Sequence, residues 1–139
     1  MSWVIDCSMA LAWGLPDEQS PAADDFFTTK HFQQDLWVPA LWWFEFANAL
    51  KMGKKRKRIT EDQYVRLLQA YEALPIQTDI NSGFDFVNTL QQVASQFDLS
   101  GYDAAYLELA LRNHAGLATL DSHLASMARR AGITSVFPS

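Results

Sequence analysis

Along the chain, short apolar runs alternate with longer stretches whose apolar residues recur every three or four positions. WVID (3–6), LWV (36–38), IQT (76–78), LATL (117–120) and ITSVF (133–137) read as strands. Between them, helices are predicted over 20–33, 40–52, 60–74, 82–96, 100–114 and 122–131. Pro39 opens the second of these, and Gly53 stands where a glycine following a helix C-terminus belongs. The third has Thr60 as its N-cap, Tyr64, Leu67, Leu68, Tyr71 and Leu74 on one face, and Pro75 as its stop. Gly116 closes the fifth; the last carries Leu124, Met127, Ala128 and Ala131 on one face and ends at Gly132. Strands alternating with helices predict an α/β protein with a parallel sheet covered by helices on both faces. No repeat, low-complexity segment or linker interrupts the pattern, and 139 residues suit one domain.

One helix breaks the amphipathic rule. ALWWFEFANAL (40–50) is apolar on nearly every face, which suits a helix in a core or against a partner. Yet it holds Glu45, with Asn48 one turn further on the same side. A buried carboxylate costs several kcal/mol unless it is paired or holds a metal.

The longest apolar run beside this helix, Leu36 to Phe44, has nine residues, against the ~20 that a membrane span needs. The N-terminus lacks a basic region and reaches Asp6 too early for a signal peptide, so a cytoplasmic location is expected. A lone cysteine, Cys7, gives no disulfide and no zinc-ligand spacing. Net charge is −5, but six of the eleven basic residues lie in KMGKKRKR (51–58), leaving five basic against sixteen acidic residues elsewhere, a charge of −11. Attraction for a polyanion is therefore local. Lys54, Lys55 and Arg56 are candidate RNA contacts; the alternative is a solvated helix end whose charges suit the macrodipole.

Two strands share one grammar, closing on aspartates: WVID on Asp6 and LATLD on Asp121. In parallel α/β sheets, ligands bind beyond the carboxyl ends of strands near the topological switch point. Asp103 lies in the first turn of an apolar helix, and Glu45 in the first half of another. Each has a structural alternative. Asp121 caps the following helix, Ser100 with Asp103 spells a capping box, Asp6 caps a turn, and Glu45 pairs with a distant Arg112. Together, four carboxylates at one crevice would repel, by roughly 4 kcal/mol for a pair 4 Å apart at an effective dielectric near 20. A divalent cation removes that repulsion, and all-oxygen ligation suits Mg²⁺ or Mn²⁺.

VIDCSMALAW, VPALWWFEFANAL and LSGYDAAYLELALRNHAGLATLDSHL, in this order and spacing over almost the whole length, resemble PIN-domain ribonucleases, specifically the VapC-type toxins of VapBC toxin–antitoxin modules. The resemblance implies a PIN-like three-layer fold with a central parallel sheet of about five strands. It implies Mg²⁺- or Mn²⁺-dependent endoribonuclease activity by metal-activated water, a homodimer, and neutralisation by a cognate VapB-type antitoxin. It places the catalytic and metal-holding acids on Asp6, Glu45, Asp103 and Asp121, with Ser8, Asn48 and Thr119 in support. Many members carry a further acid after the last aspartate, where this chain has Ser122 and His123, which leaves the number of metal ions open. His123 reads as a surface residue in a helix's first turn. Cys7 reads as a small buried residue beside the site, with no histidine placed to activate it. A non-catalytic PIN-like RNA- or protein-binding module is the alternative. The P-loop and dinucleotide fingerprints are absent.

Overall fold

The computed structural model describes residues 1–18, 20–30 and 35–136. The chain runs β1 (Trp3–Ile5), α1 (Cys7–Gly14), α2 (Pro21–Asp25) and a wide helical turn (Phe26–Lys30). It continues through β2 (Leu36–Pro39), α3 (Leu41–Lys55), α4 (Glu61–Glu72), β3 (Ile76–Asp79) and α5 (Phe84–Phe97). It closes with α6 (Gly101–Asn113), β4 (Gly116–Ala118), α7 (Ser122–Arg130) and β5 (Ser135–Val136). The five strands pair in parallel in the order β3-β2-β1-β4-β5. The order reverses at β1, with β2 on one side and β4 on the other, so the crevice of this sheet opens beyond Ile5 and Ala118.

The sheet is buried because helices cover it. Every residue of β1 and β4 is buried, and α6 packs across β1, β2 and β4 with an unbroken buried run from Ala104 to Ala110. On α3, Trp42, Phe46 and Leu50 enter the core, where Phe46 stacks on Trp42 at 4.8 Å. Of the two settings that its composition allows, a core or a partner, α3 takes the core on one face only. Trp43 is 45% exposed and Phe44 76%, and Glu45, Ala47 and Asn48 are also exposed. The helix is half-buried because only its Trp42–Phe46–Leu50 stripe meets the core.

Two helix ends differ from expectation for one physical reason. Gly53 lies inside α3; the left-handed position is Lys57, at φ 58°. There the Arg58 N–H donates to the Gly53 carbonyl at 2.8 Å and the Lys57 N–H to that of Lys54 at 3.1 Å, a Schellman closure. Likewise α6 closes on His114, at φ 52°, through bonds from Ala115 and His114 to the Ala110 and Leu111 carbonyls. Gly116 serves packing: a Cβ there would lie 2.5 Å from the Trp3 ring. Of the predicted helix 20–33, residues 31–33 lie outside the described residues, as does Phe137 of the last strand.

Candidate active site

Asp6 is the first residue beyond β1, and the chain turns there into α1. Its carboxylate caps that helix: Oδ1 accepts from the Met9 N–H at 3.0 Å and from the Ser8 hydroxyl at 2.7 Å. Oδ2 accepts from the hydroxyl of Thr119, which follows β4. Thr119 in turn accepts from the Asp121 N–H at 2.9 Å, and Ser8 accepts from the Leu120 N–H at 3.1 Å. Ser8 and Thr119 thus tie the ends of β1 and β4 together around one buried carboxylate. Burial pushes the Asp6 pKa up to about 6, the hydrogen bonds from Thr119, Ser8 and Met9 oppose the rise, and the charge of Asp121 adds to it.

Asp121 caps α7, with Oδ1 accepting from the Leu124 N–H at 2.9 Å, while its other oxygen carries no hydrogen bond among the described residues. The capping role is real, and it leaves half the carboxylate available. Asp103 differs from its expected capping box. Its N–H donates to Ser100 Oγ at 3.1 Å, but its carboxylate does not reach back and makes no hydrogen bond among the described residues. Burial raises the Asp103 pKa, Asp121 raises it further, and His123 partly offsets both. His123 itself is exposed in the first turn of α7, its Nε2 2.8 Å from the Asp98 carbonyl oxygen.

The partner of Glu45 is neither Arg112 nor Asn48. Arg112 is held by Glu108 on its own helix, at 2.8 Å, and by a two-pronged bond to Asp79 at 2.9 and 2.7 Å. Asn48 is exposed, and no hydrogen bond joins it to Glu45. Instead the hydroxyl of Tyr106, buried on α6, donates to Glu45 Oε1 at 2.5 Å. Sequence reasoning missed Tyr106. Its signal was the spacing from Asp103, one turn along the same helix. Burial, Glu45 and Asp6 hold the Cys7 thiol up at about 12, so Cys7 stays a protonated, buried side chain at neutral pH.

The four acids therefore come from four elements and share one electrostatic environment: Asp6 and Asp103 both feel Asp121, while Cys7 feels both Asp6 and Glu45. Among the described residues no three His, Cys, Asp or Glu side chains converge on one ligating point. The donor chemistry nevertheless fits a hard divalent cation. Every donor is oxygen, the Asp103 carboxylate is unpartnered, and Mg²⁺ commonly takes one or two carboxylates and keeps several waters.

The basic segment is only partly free. Lys54 pairs with Glu61 at 3.0 Å and lies 4.3 Å from the Tyr64 ring centre, and Arg58 is clamped by Asp17 and Glu18. Lys55 and Arg56 are exposed and make no ion pair among the described residues.

A five-stranded parallel sheet whose order reverses at β1, with Asp6 and Asp121 beyond the ends of β1 and β4, defines the fold class. The model of the PIN domain family matches residues 3–130, and the chain belongs to that family. Among solved structures it is similar to PAE2754 from Pyrobaculum aerophilum, at TM-score 0.69 and 23% identity over 98% of this chain and 84% of that one. It is also similar to VapBC2 from Rickettsia felis, a structure bound to a DNA fragment from their promoter, at TM-score 0.68 and 9% identity over 99% and 98% of the two chains. At such identities the likeness is one of fold. A search of curated proteins finds no match. No described helix is long and apolar enough to cross a membrane.

Proposed function

We propose that this chain, as a single PIN domain, is a Mg²⁺- or Mn²⁺-dependent endoribonuclease and the toxin of a toxin–antitoxin pair, with Asp6, Glu45, Asp103 and Asp121 as its metal-holding acids. The observation that carries the reading is Asp103: a half-buried carboxylate at the switch-point crevice, raised in pKa by Asp121 and without a hydrogen-bond donor. Uncompensated charge of this kind suits a cation. When bound, the cation supplies a Lewis acid for a phosphoryl oxygen and a water of lowered pKa. Ser8, Thr119 and the Met9 N–H fix Asp6, and the Leu124 N–H fixes one oxygen of Asp121, so both carboxylates meet their ligand already oriented. Lys55 and Arg56, with Lys54 beside them, supply phosphate contacts.

The partners follow from exposed apolar surface. Trp43 and Phe44, together with Ile80, Phe84, Val87 and Tyr102, are large and exposed, which favours a homodimer. A groove of about 580 Å³, whose lining includes Trp42, Trp43, Phe46, Leu50 and Tyr71, carries Lys51, Lys54 and Glu72 as its charged residues. It lies across α3 from Glu45 and suits an apolar segment of a VapB-type antitoxin; the buried Trp42 indole N–H has no acceptor among the described residues.

One observation favours a second reading, a non-catalytic PIN-like binding module: among the described residues no three acids converge on a ligating point. Cleavage of RNA by the purified protein decides between them. Cleavage with Mg²⁺ or Mn²⁺, leaving 5′-phosphate and 3′-hydroxyl ends and stopping in EDTA, supports the nuclease. Binding of RNA without cleavage under any metal supports the module.

A further inference from the structure

We propose that Tyr106 is a positioning residue for Glu45, fixing that carboxylate through Oε1 and leaving Oε2 as the oxygen available to a cation. The inference rests on the nuclease reading above and names a residue that the acid quartet does not include. Three observations carry it. Glu45 lies in the exposed stretch Trp43–Glu45 of α3, where a long carboxylate side chain would otherwise sample many rotamers. The only hydrogen bond to its carboxylate among the described residues is the one from the Tyr106 hydroxyl, at 2.5 Å, joining two helices 61 residues apart in sequence. Tyr106 itself is 2% exposed, on the helix whose residues from Ala104 to Ala110 are all buried, so its ring is held by packing.

The chemistry of the donor matters as much as its place. A neutral phenol orients a carboxylate without cancelling its charge, whereas a guanidinium or ammonium there would compete with a cation for the same oxygens. The guanidinium that sequence offered, Arg112, is occupied by Asp79 and Glu108. Asp103 and Tyr106 are one turn apart on α6, so a single rigid helix both carries one acid and aims another. Outer groups that hold metal-binding side chains commonly matter 10- to 100-fold in affinity.

The test is Tyr106→Phe, which removes one oxygen and keeps the ring. Wild type, Tyr106→Phe and Asp103→Asn are each titrated with Mn²⁺, free Mn²⁺ being read by electron paramagnetic resonance, and assayed on RNA. Expected for Tyr106→Phe is Mn²⁺ binding about 10- to 100-fold weaker, with kcat reduced and the KM for RNA within about twofold of wild type. A variant that melts lower yet binds Mn²⁺ within twofold of wild type makes the bond merely structural and overturns the proposal. If wild type itself neither binds Mn²⁺ nor cleaves, the nuclease reading fails and takes this inference with it; if only Tyr106→Phe matches wild type, this inference fails alone. Should the variant not fold, nuclear magnetic resonance of the wild type replaces it. Added Mg²⁺ should then shift the Glu45 carboxyl carbon while the Tyr106 hydroxyl proton stays bonded; loss of that proton signal on metal addition overturns the proposal.

Discussion

Replacing Asp6 with Asn isolates the electrostatic strain at the centre of the cluster. Asp6 is 6% exposed, and its pKa rises from the usual 3.8 to about 6, burial being the main cause. Below pH ~4 the carboxyl is protonated in both folded and unfolded chains and adds nothing to the pH dependence. Between pH ~4 and ~6 the unfolded chain ionises while the folded one keeps its proton, so folding is progressively disfavoured. Above pH ~6 both are ionised and the full penalty persists. A shift of roughly two units, at 1.36 kcal/mol each, makes that penalty about 3 kcal/mol, or about 10 °C in melting temperature for a chain of this size. Asn keeps the volume and can still accept from Ser8 and Met9, but it does not titrate. Its altered contact with Thr119 adds an offset that is the same at every pH. Melting both proteins in EDTA from pH 4 to 8 and subtracting the curves should show wild type losing most of that penalty, about 2.5 kcal/mol, relative to the variant between pH 4 and 7, then a plateau. Saturating Mg²⁺ should flatten the curve by favouring the ionised form. A difference that is constant with pH, or in which wild type gains as pH rises, would refute the reasoning.

Asp103→Asn should abolish cleavage while melting no lower than wild type in EDTA, because its carboxylate makes no hydrogen bond; a variant several degrees less stable that still cleaves would make Asp103 structural. Free metal at a hundred times its dissociation constant should stabilise wild type by roughly 2.7 kcal/mol and Asp103→Asn much less, as read from metal-dependent melts. Arg112→Ala leaves the 5%-exposed Glu108 without its cation and should cost about 3 kcal/mol by denaturant unfolding, the low end for a buried pair because the Arg112 side chain is itself 38% exposed, with cleavage per folded molecule retained. Neutralising Lys55 and Arg56 should weaken RNA binding and reduce its salt dependence by about one phosphate's worth for each lost contact; an unchanged slope would return them to a solvated helix end.

The strand–helix alternation and the two strand-end aspartates were legible because they are local. Burial on both faces writes WVI and GLA as apolar runs, and an aspartate after such a run has few places to point. Thr60 was legible for the same reason, and its full capping box with Gln63 is present. What sequence did not carry was long-range pairing. Tyr106 and Arg112 lie six residues apart on α6, and only the tertiary arrangement decides that the phenol meets Glu45 while the guanidinium meets Asp79. Helix closure misled because glycine is favoured in the left-handed region without being required there: Lys57 and His114 occupy it, while Gly116 answers to the Trp3 ring. The composition of α3 left a core helix and a partner-facing one open because the two read alike, and the exposure of Phe44 shows which face is uncovered.

The most direct test of the central claim is calorimetric titration of Mn²⁺ into wild type and into the four single variants Asp6→Asn, Glu45→Gln, Asp103→Asn and Asp121→Asn. If these carboxylates act together on a cation, wild type shows saturable binding and every variant binds at least about tenfold more weakly while remaining folded. Saturable binding that is absent from wild type, or that survives unchanged in the folded variants, would contradict the account.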